Sequence, residues 1–237
     1  MTNPVVSIIV PTVNCYLFTD CIAKIMERTH VEYELIIVCD TPTPEKREEL
    51  ANLTEDNVTV IINETRQGNP GAQNIGMKAA KGEFIMLTQD DVIVQTHGWL
   101  KPLVTALRKH PEFGYVVPIV HRVHDQYLRF GELGEASLIN RQILDKVGYW
   151  DEGDLFRRLA CDGDYFARIK DAGFRPHGLV ESLVTHFLGS TIKEELERKD
   201  VYDNMVELYR RYGKEEIHID RALLPVYHDN VEMMPKW

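Results

Sequence analysis

Two adjacent carboxylates, Asp90 and Asp91, follow a short apolar run, Phe84 to Leu87. That run, preceded by a helix-like stretch ending in Ala79, Ala80 and Gly82, has the look of a buried parallel strand. Neighbouring carboxylates at the end of such a strand repel each other and want water or a cation. Ligands of open α/β sheets bind at the C-terminal edge of the strands. One reading is therefore that Asp90 holds a divalent metal and, through it, a diphosphate. The other is that both residues are solvated turn residues capping the next helix, since Asp is common in turns.

The elements that would position this pair follow from pattern. Val5 to Val10, Leu35 to Val38, Val58 to Ile62 and Phe84 to Leu87 read as strands, rich in β-branched or apolar residues. Between them Leu17 to Met26, a segment opened by Pro44 and Glu45, and Pro70 to Ala80 read as helices. This alternation predicts a doubly wound, mostly parallel α/β sheet. The first turn, Pro11-Thr12-Val13-Asn14-Cys15-Tyr16, carries neither GxGxxG nor GxxxxGK[ST]. That counts against a dinucleotide oxidoreductase and a P-loop enzyme. Further on, Leu100 to Lys109, Ile139 to Val147, Asp162 to Ala172 and Glu194 to Tyr212 read as helices, and Tyr115 to Val120 and Leu183 to Phe187 as strands. The stretch from His121 to Leu138 shows no period, and its length marks it as a functional or flexible loop.

With 237 residues the chain has room for one large domain, or one and a half, and for a sizeable core. A net charge of -10 without a basic stripe argues against a nucleic-acid partner. The four cysteines are scattered, so neither a disulfide framework nor a zinc ribbon is expected. No run approaches the roughly 20 apolar residues of a membrane helix, and the first apolar run lacks a basic flank. The expected location is the cytoplasm, or the surface of a membrane.

Several spaced motifs resemble those of the family-two glycosyltransferases, which have the GT-A fold. They are VSIIVPTVN, ELIIVCD, RQGNPGAQNIGMKAAKGEFIMLTQDD, RQILDKVGYWDE, CDGDYFARIKDAGF and VTHFLGST, in that order between residues 5 and 191. The resemblance implies a single GT-A domain. Residues 1–98 would form a nucleotide-sugar-binding half, 99–191 an acceptor-binding catalytic half, and 192–237 a helical tail suited to a homo-oligomer contact. It implies a nucleoside diphosphate sugar as donor and a glycan, lipid-linked or small-molecule hydroxyl as acceptor.

Site residues carry over by position. Pro11, Thr12, Asn14, Asp40, Arg66, Gly68, Asn74, Gln89 and Asp90 would line the donor pocket, with Asp40 accepting from a base N–H. Asp90 and His186 would hold Mn²⁺ or Mg²⁺, which accept carboxylate, phosphate and water oxygens; Mn²⁺ also accepts imidazole. Asp162 would be the catalytic base, with capping of its helix as the competing role. Asp164 and Trp150 would meet the acceptor. The chain departs from the family twice. Thr88 stands where many members have the first acid of Asp-x-Asp, and Cys161 stands where they have Glu before the catalytic Asp. These departures keep two alternatives open: a nucleotide-sugar-binding protein without turnover, and, less well matched by the first turn, a sugar-nucleotide pyrophosphorylase.

Overall fold

The structure, a computed structural model, describes residues 4–123, 127–131, 133–153 and 161–187. Its first strands are β1 (Val6–Thr12), β2 (Tyr33–Asp40), β3 (Val58–Asn63) and β4 (Phe84–Thr88). They run parallel in the order β3-β2-β1-β4. The helices between them are α1 (Phe18–Arg28), α2 (Pro44–Ala51) and α3 (Gly68–Ala79). Every residue of β1 and β4 is buried, as expected of strands covered on both faces. Val6, Ile8, Phe84 and Met86 pack with α1 on one face, while Ile9, Ile85 and Leu87 pack with α3 on the other. The α3 layer lies so close that a Cβ on Gly76 would stand 2.4 Å from Ile9 Cγ2. Only glycine fits there. Thr43 caps α2, its hydroxyl accepting from Lys46 N at 3.2 Å, and Pro44 occupies the first turn.

Next along the chain come β5 (Val92–Val94), α4 (Leu100–Lys109), β6 (Phe113–Arg122), β7 (Tyr127–Phe130), β8 (Ala136–Asn140), α5 (Ile143–Val147), α6 (Cys161–Asp171) and β9 (Arg175–His186). Here the sheet becomes mixed. β8 lies antiparallel between β4 and β6, β9 is parallel to β6, and β5 closes the far edge antiparallel to β9.

The connection from β4 to β5 dictates the curvature. Along the sheet these strands are four hydrogen-bonded steps apart, about 19 Å in a flat sheet at about 4.8 Å per step. The chain from Thr88 to Val92 spans at most about 14 Å. The sheet therefore curls into a half-barrel, and Gln89, Asp90 and Asp91 bridge its mouth at the C-terminal ends of the parallel strands.

The first-half elements stand where the pattern puts them. Beyond β4 the structure differs from the pattern, beginning with the short strand β5, which the pattern does not announce. The stretch from His121 to Leu138 supplies the end of β6, all of β7 and the start of β8; these short strands exist by tertiary pairing and carry no alternation of their own. Ile139 belongs to β8, so α5 is shorter than expected. β9 begins at Arg175, hidden in sequence by Pro176 and Gly178 and irregular where Pro118 and Ile119 shift register. The expected C-terminal helix, Glu194 to Tyr212, lies outside the described residues. Among the described residues no helix is long and apolar enough to cross a membrane.

Candidate active site

Strand register assembles the site. Thr88 lies opposite Ala136, Val92 opposite His186, and His186 opposite Arg122. The bridging segment, residue 135 and the ends of β6 and β9 therefore share one mouth. His186 Nε2 stands 3.1 Å from Asp91 Oδ1, and its Nδ1 makes a close hydrogen bond with Glu135 Oε1. Arg122 Nε donates to the same Glu135 oxygen at 3.2 Å. Asp90, Asp91, Glu135 and His186 are all buried. The Cys15 and Cys21 thiols reach the carbonyls of Asp90 and Gln89, at 3.6 and 3.5 Å, and seat the bridge on α1 and the turn before it.

The electrostatics favour a cation. Burial pushes the Asp90 carboxyl up to about 6; the Thr12 hydroxyl opposes this and the Asp91 charge adds to it. Asp90 Oδ2 is buried without a hydrogen-bond partner. Burial works against a charge on His186, but the hydrogen bonds and charges of Asp91 and Glu135 outweigh it and push the ring up to about 9. Asp162 is raised by burial, with the charge of Glu135 adding and that of Arg122 opposing. Asp91 and Glu135 thus face His186, Glu135 and Arg122 both act on Asp162, and Asp91 and Lys46 act on Asp90. An unpartnered oxygen on Asp90, next in the chain to the Asp91 carboxylate that meets the His186 imidazole, suits Mn²⁺ or Mg²⁺. Among the described residues no three acidic, histidine or cysteine side chains form a closed cage. A cation bound here would complete its shell with water or phosphate oxygens.

Other expected residues occupy varied positions. Asp40, buried at the end of β2, accepts from Gln67 N and Gly68 N at 2.9 Å each and from Asn63 Nδ2 at 2.8 Å. It caps α3, whose first residue, Gly68, has φ +74°. Pro11 and Thr12 are buried at the end of β1 and Asn14 is exposed just beyond, while Arg66 is exposed before α3. Gln89 is half-buried in the bridge. Asp162 Oδ1 accepts from Gly163 N at 2.9 Å in the first turn of α6.

Three expected ligand contacts meet a different geometry. Asn74 is buried and fully engaged: Nδ2 donates to Trp150 O at 2.8 Å and Glu152 Oε1 at 2.6 Å, and Oδ1 accepts from Trp150 N at 2.9 Å. It ties α3 to the segment before α6. Asp164 is 1% exposed and accepts from Arg168 Nε at 2.9 Å, while Arg168 Nη1 donates to Val147 O at 2.7 Å. That pair locks α6 to α5. Trp150 is buried and stacked on Tyr165, with centroids 5.0 Å apart. All three residues are engaged with the protein itself. Sequence reasoning missed Glu135 and Arg122; neither stands in a motif, and only the β4–β8 and β6–β9 pairings bring them to the mouth.

Residues 7–160 match the family model described as Glycosyl transferase family 2. The chain belongs to that family. The match takes in the bridge, Arg122 and Glu135 and ends before α6 and β9, so Asp162 and His186 lie beyond it. An uncharacterized glycosyltransferase of Haemophilus influenzae is 30% identical over 114 residues, covering 46% of this chain and 45% of that one. WfgD of Escherichia coli, a UDP-Glc:alpha-D-GlcNAc-diphosphoundecaprenol beta-1,3-glucosyltransferase, is 29% identical over 94 residues, covering 39% and 37%. These matches span less than half the length of the curated relatives. The mannosyltransferase PcManGT of Pyrobaculum calidifontis, solved in complex with GDP-Man and Mn²⁺, superposes with a TM-score of 0.69 at 19% sequence identity, covering 96% of this chain and 69% of that one. Such a likeness carries the GT-A fold of this family-two chain.

Proposed function

We propose that this family-two chain is a metal-dependent, inverting glycosyltransferase of glycan or polysaccharide assembly. It would move a sugar from a nucleoside diphosphate donor to a hydroxyl of a glycan, lipid-linked or small-molecule acceptor. The observation that carries this reading is the buried Asp90, Asp91 and His186 at the mouth of the half-barrel, with an orphaned carboxylate oxygen. Asp90 and His186 would hold Mn²⁺ or Mg²⁺. When bound, the ion supplies a Lewis acid that stabilises charge on the departing diphosphate. Pro11, Thr12, Asn14, Arg66, Gly68 and Gln89 surround the donor by position. Asp40 fixes the start of α3 beside it, and Oδ1, which has one protein partner, keeps acceptor capacity for a base N–H.

Asp162 is the base. An acceptor hydroxyl is a poor nucleophile and must lose its proton as it attacks. A carboxyl raised by burial holds a proton better than an ordinary aspartate, which suits this role. One displacement, with the base on the face opposite the leaving diphosphate, inverts the sugar carbon. Its helix-capping bond uses Oδ1.

A thermal-shift screen of UDP and GDP, each with and without Mn²⁺, tests the reading. These bases are the first probes because WfgD is named for UDP-Glc and PcManGT was solved with GDP-Man. The expected result is a rise in melting temperature that needs both nucleotide and metal. No rise with any nucleoside diphosphate would sink the proposal. Donor hydrolysis in Mn²⁺ separates an enzyme from a binding protein without turnover.

A further inference from the structure

Glu135 is a buried carboxylate at the mouth to which the proposed chemistry gives no role. It sits just before β8 and is 4% exposed. Its backbone carbonyl accepts from Thr88 Oγ1 at 3.2 Å. Its Oε1 takes both Arg122 Nε, at 3.2 Å, and His186 Nδ1. The turn that carries it is held as well. Gly134, with φ +85°, donates to Ser137 Oγ at 3.3 Å, and a Cβ at 134 would lie 3.0 Å from Trp150 Cη2. A carboxylate buried under this many restraints is costly to the fold unless its charge is used.

We propose that Glu135 is the positioning residue of the metal centre: it holds the His186 ring by Nδ1, so that Nε2 is the nitrogen offered beside Asp91. The proposal rests on the metal reading above. An imidazole has two nitrogens on different edges of the ring, and the partner of one decides which edge the other presents. With Nδ1 tied to Glu135, Nε2 is left 3.1 Å from Asp91 Oδ1. The χ2 torsion of histidine is broad, so without this tie only the Asp91 contact and the packing around the buried ring hold its orientation. Arg122 anchors the Glu135 oxygen from the other side. Outer carboxylates of this kind set the orientation and basicity of a ligating histidine, and their loss costs about 10- to 100-fold in metal affinity.

The test is a double-mutant cycle on the full chain, read as Mn²⁺ affinity from the spin-resonance signal of free Mn²⁺, with melting curves to confirm folding. Glu135→Ala should lose about 10- to 100-fold. Glu135→Gln keeps an oxygen that can accept from Nδ1, so its loss should be measurable but smaller. In the His186→Ala background either loss should disappear, because Glu135 acts through that ring. Unchanged affinity in folded Glu135→Ala, an equal loss in the His186→Ala background, or Gln faring as badly as Ala would each overturn the proposal. If Glu135→Ala does not fold, Glu135→Gln carries the cycle, and a loss that persists without His186 decides against it. A wild-type chain that binds no Mn²⁺ overturns the metal reading and this proposal together. A wild type that binds Mn²⁺ while Glu135→Ala is unaffected overturns this proposal alone.

Discussion

Asp90→Asn should make the metal-free protein more stable while removing its response to Mn²⁺. Burial raises this carboxyl from an ordinary 3.8 to about 6. At about 1.4 kcal/mol per pH unit, keeping it ionised at pH 8 costs the fold about 3 kcal/mol. A raised carboxyl contributes stability that is fully present below pH 3.8 and is lost as pH climbs through about 6. Asparagine stays neutral throughout and escapes that loss, though burying its amide costs about 1 kcal/mol. The net gain at pH 8 is about 2 kcal/mol, or about 4–8 °C for a domain of this size. Differential scanning calorimetry in a chelator at pH 8 and pH 4.5 measures it. The gain should fall to about zero at pH 4.5, where most of the cost is absent. Adding UDP or GDP with Mn²⁺ should then raise the wild-type melting temperature and leave the variant unmoved. A variant that melts at or below wild type at pH 8, or a gain that survives at pH 4.5, refutes the claim that Asp90 is a buried charge waiting for a cation.

Two further outcomes are expected. His186→Ala should weaken Mn²⁺ binding less than loss of Asp90 does, because a neutral ligand compensates less charge and water can replace it; titration calorimetry on both variants compares them. Asp162→Asn should melt near wild type, since Asn caps about as well as Asp, and lose transfer by about 10² to 10⁴-fold, whereas a pure cap predicts a silent Asn and an Ala costing about 1 kcal/mol.

The parallel half of the fold was legible because its strands are continuous apolar runs with helix signals between them. Val6 to Thr12 and Phe84 to Thr88 are buried throughout, and a buried strand announces itself by composition. The mixed half was not, since β7 and β8 owe their conformation to β6 and β4. The same contrast runs through the site. Asp90 and Asp162 stand in motifs and could be picked out one by one. Asp164 and Asn74 stand in motifs too, yet motif position says nothing of what a side chain touches. Both prove to be buried in structural pairs, with Arg168 and with Trp150. Whether an aspartate caps a helix, pairs with arginine or faces a ligand depends on packing from elements far away in sequence.

Thr88 and Glu135 make this concrete when taken together. Where family members commonly carry the first acid of Asp-x-Asp, Thr88 sits opposite Ala136, next to Glu135, and its hydroxyl donates to the Glu135 carbonyl. An aspartate at 88 would add a carboxylate to a mouth that already holds Asp90, Asp91, Glu135 and Asp162 against Arg122 and His186. Like charges this close raise one another's proton affinity and weaken the fold. Threonine adds no charge, supplies the donor that pins Glu135, and suits a strand end. The departure from the family pattern at 88 is therefore coupled to the acid at 135, just before the neighbouring strand, and neither residue explains itself without the β4–β8 register.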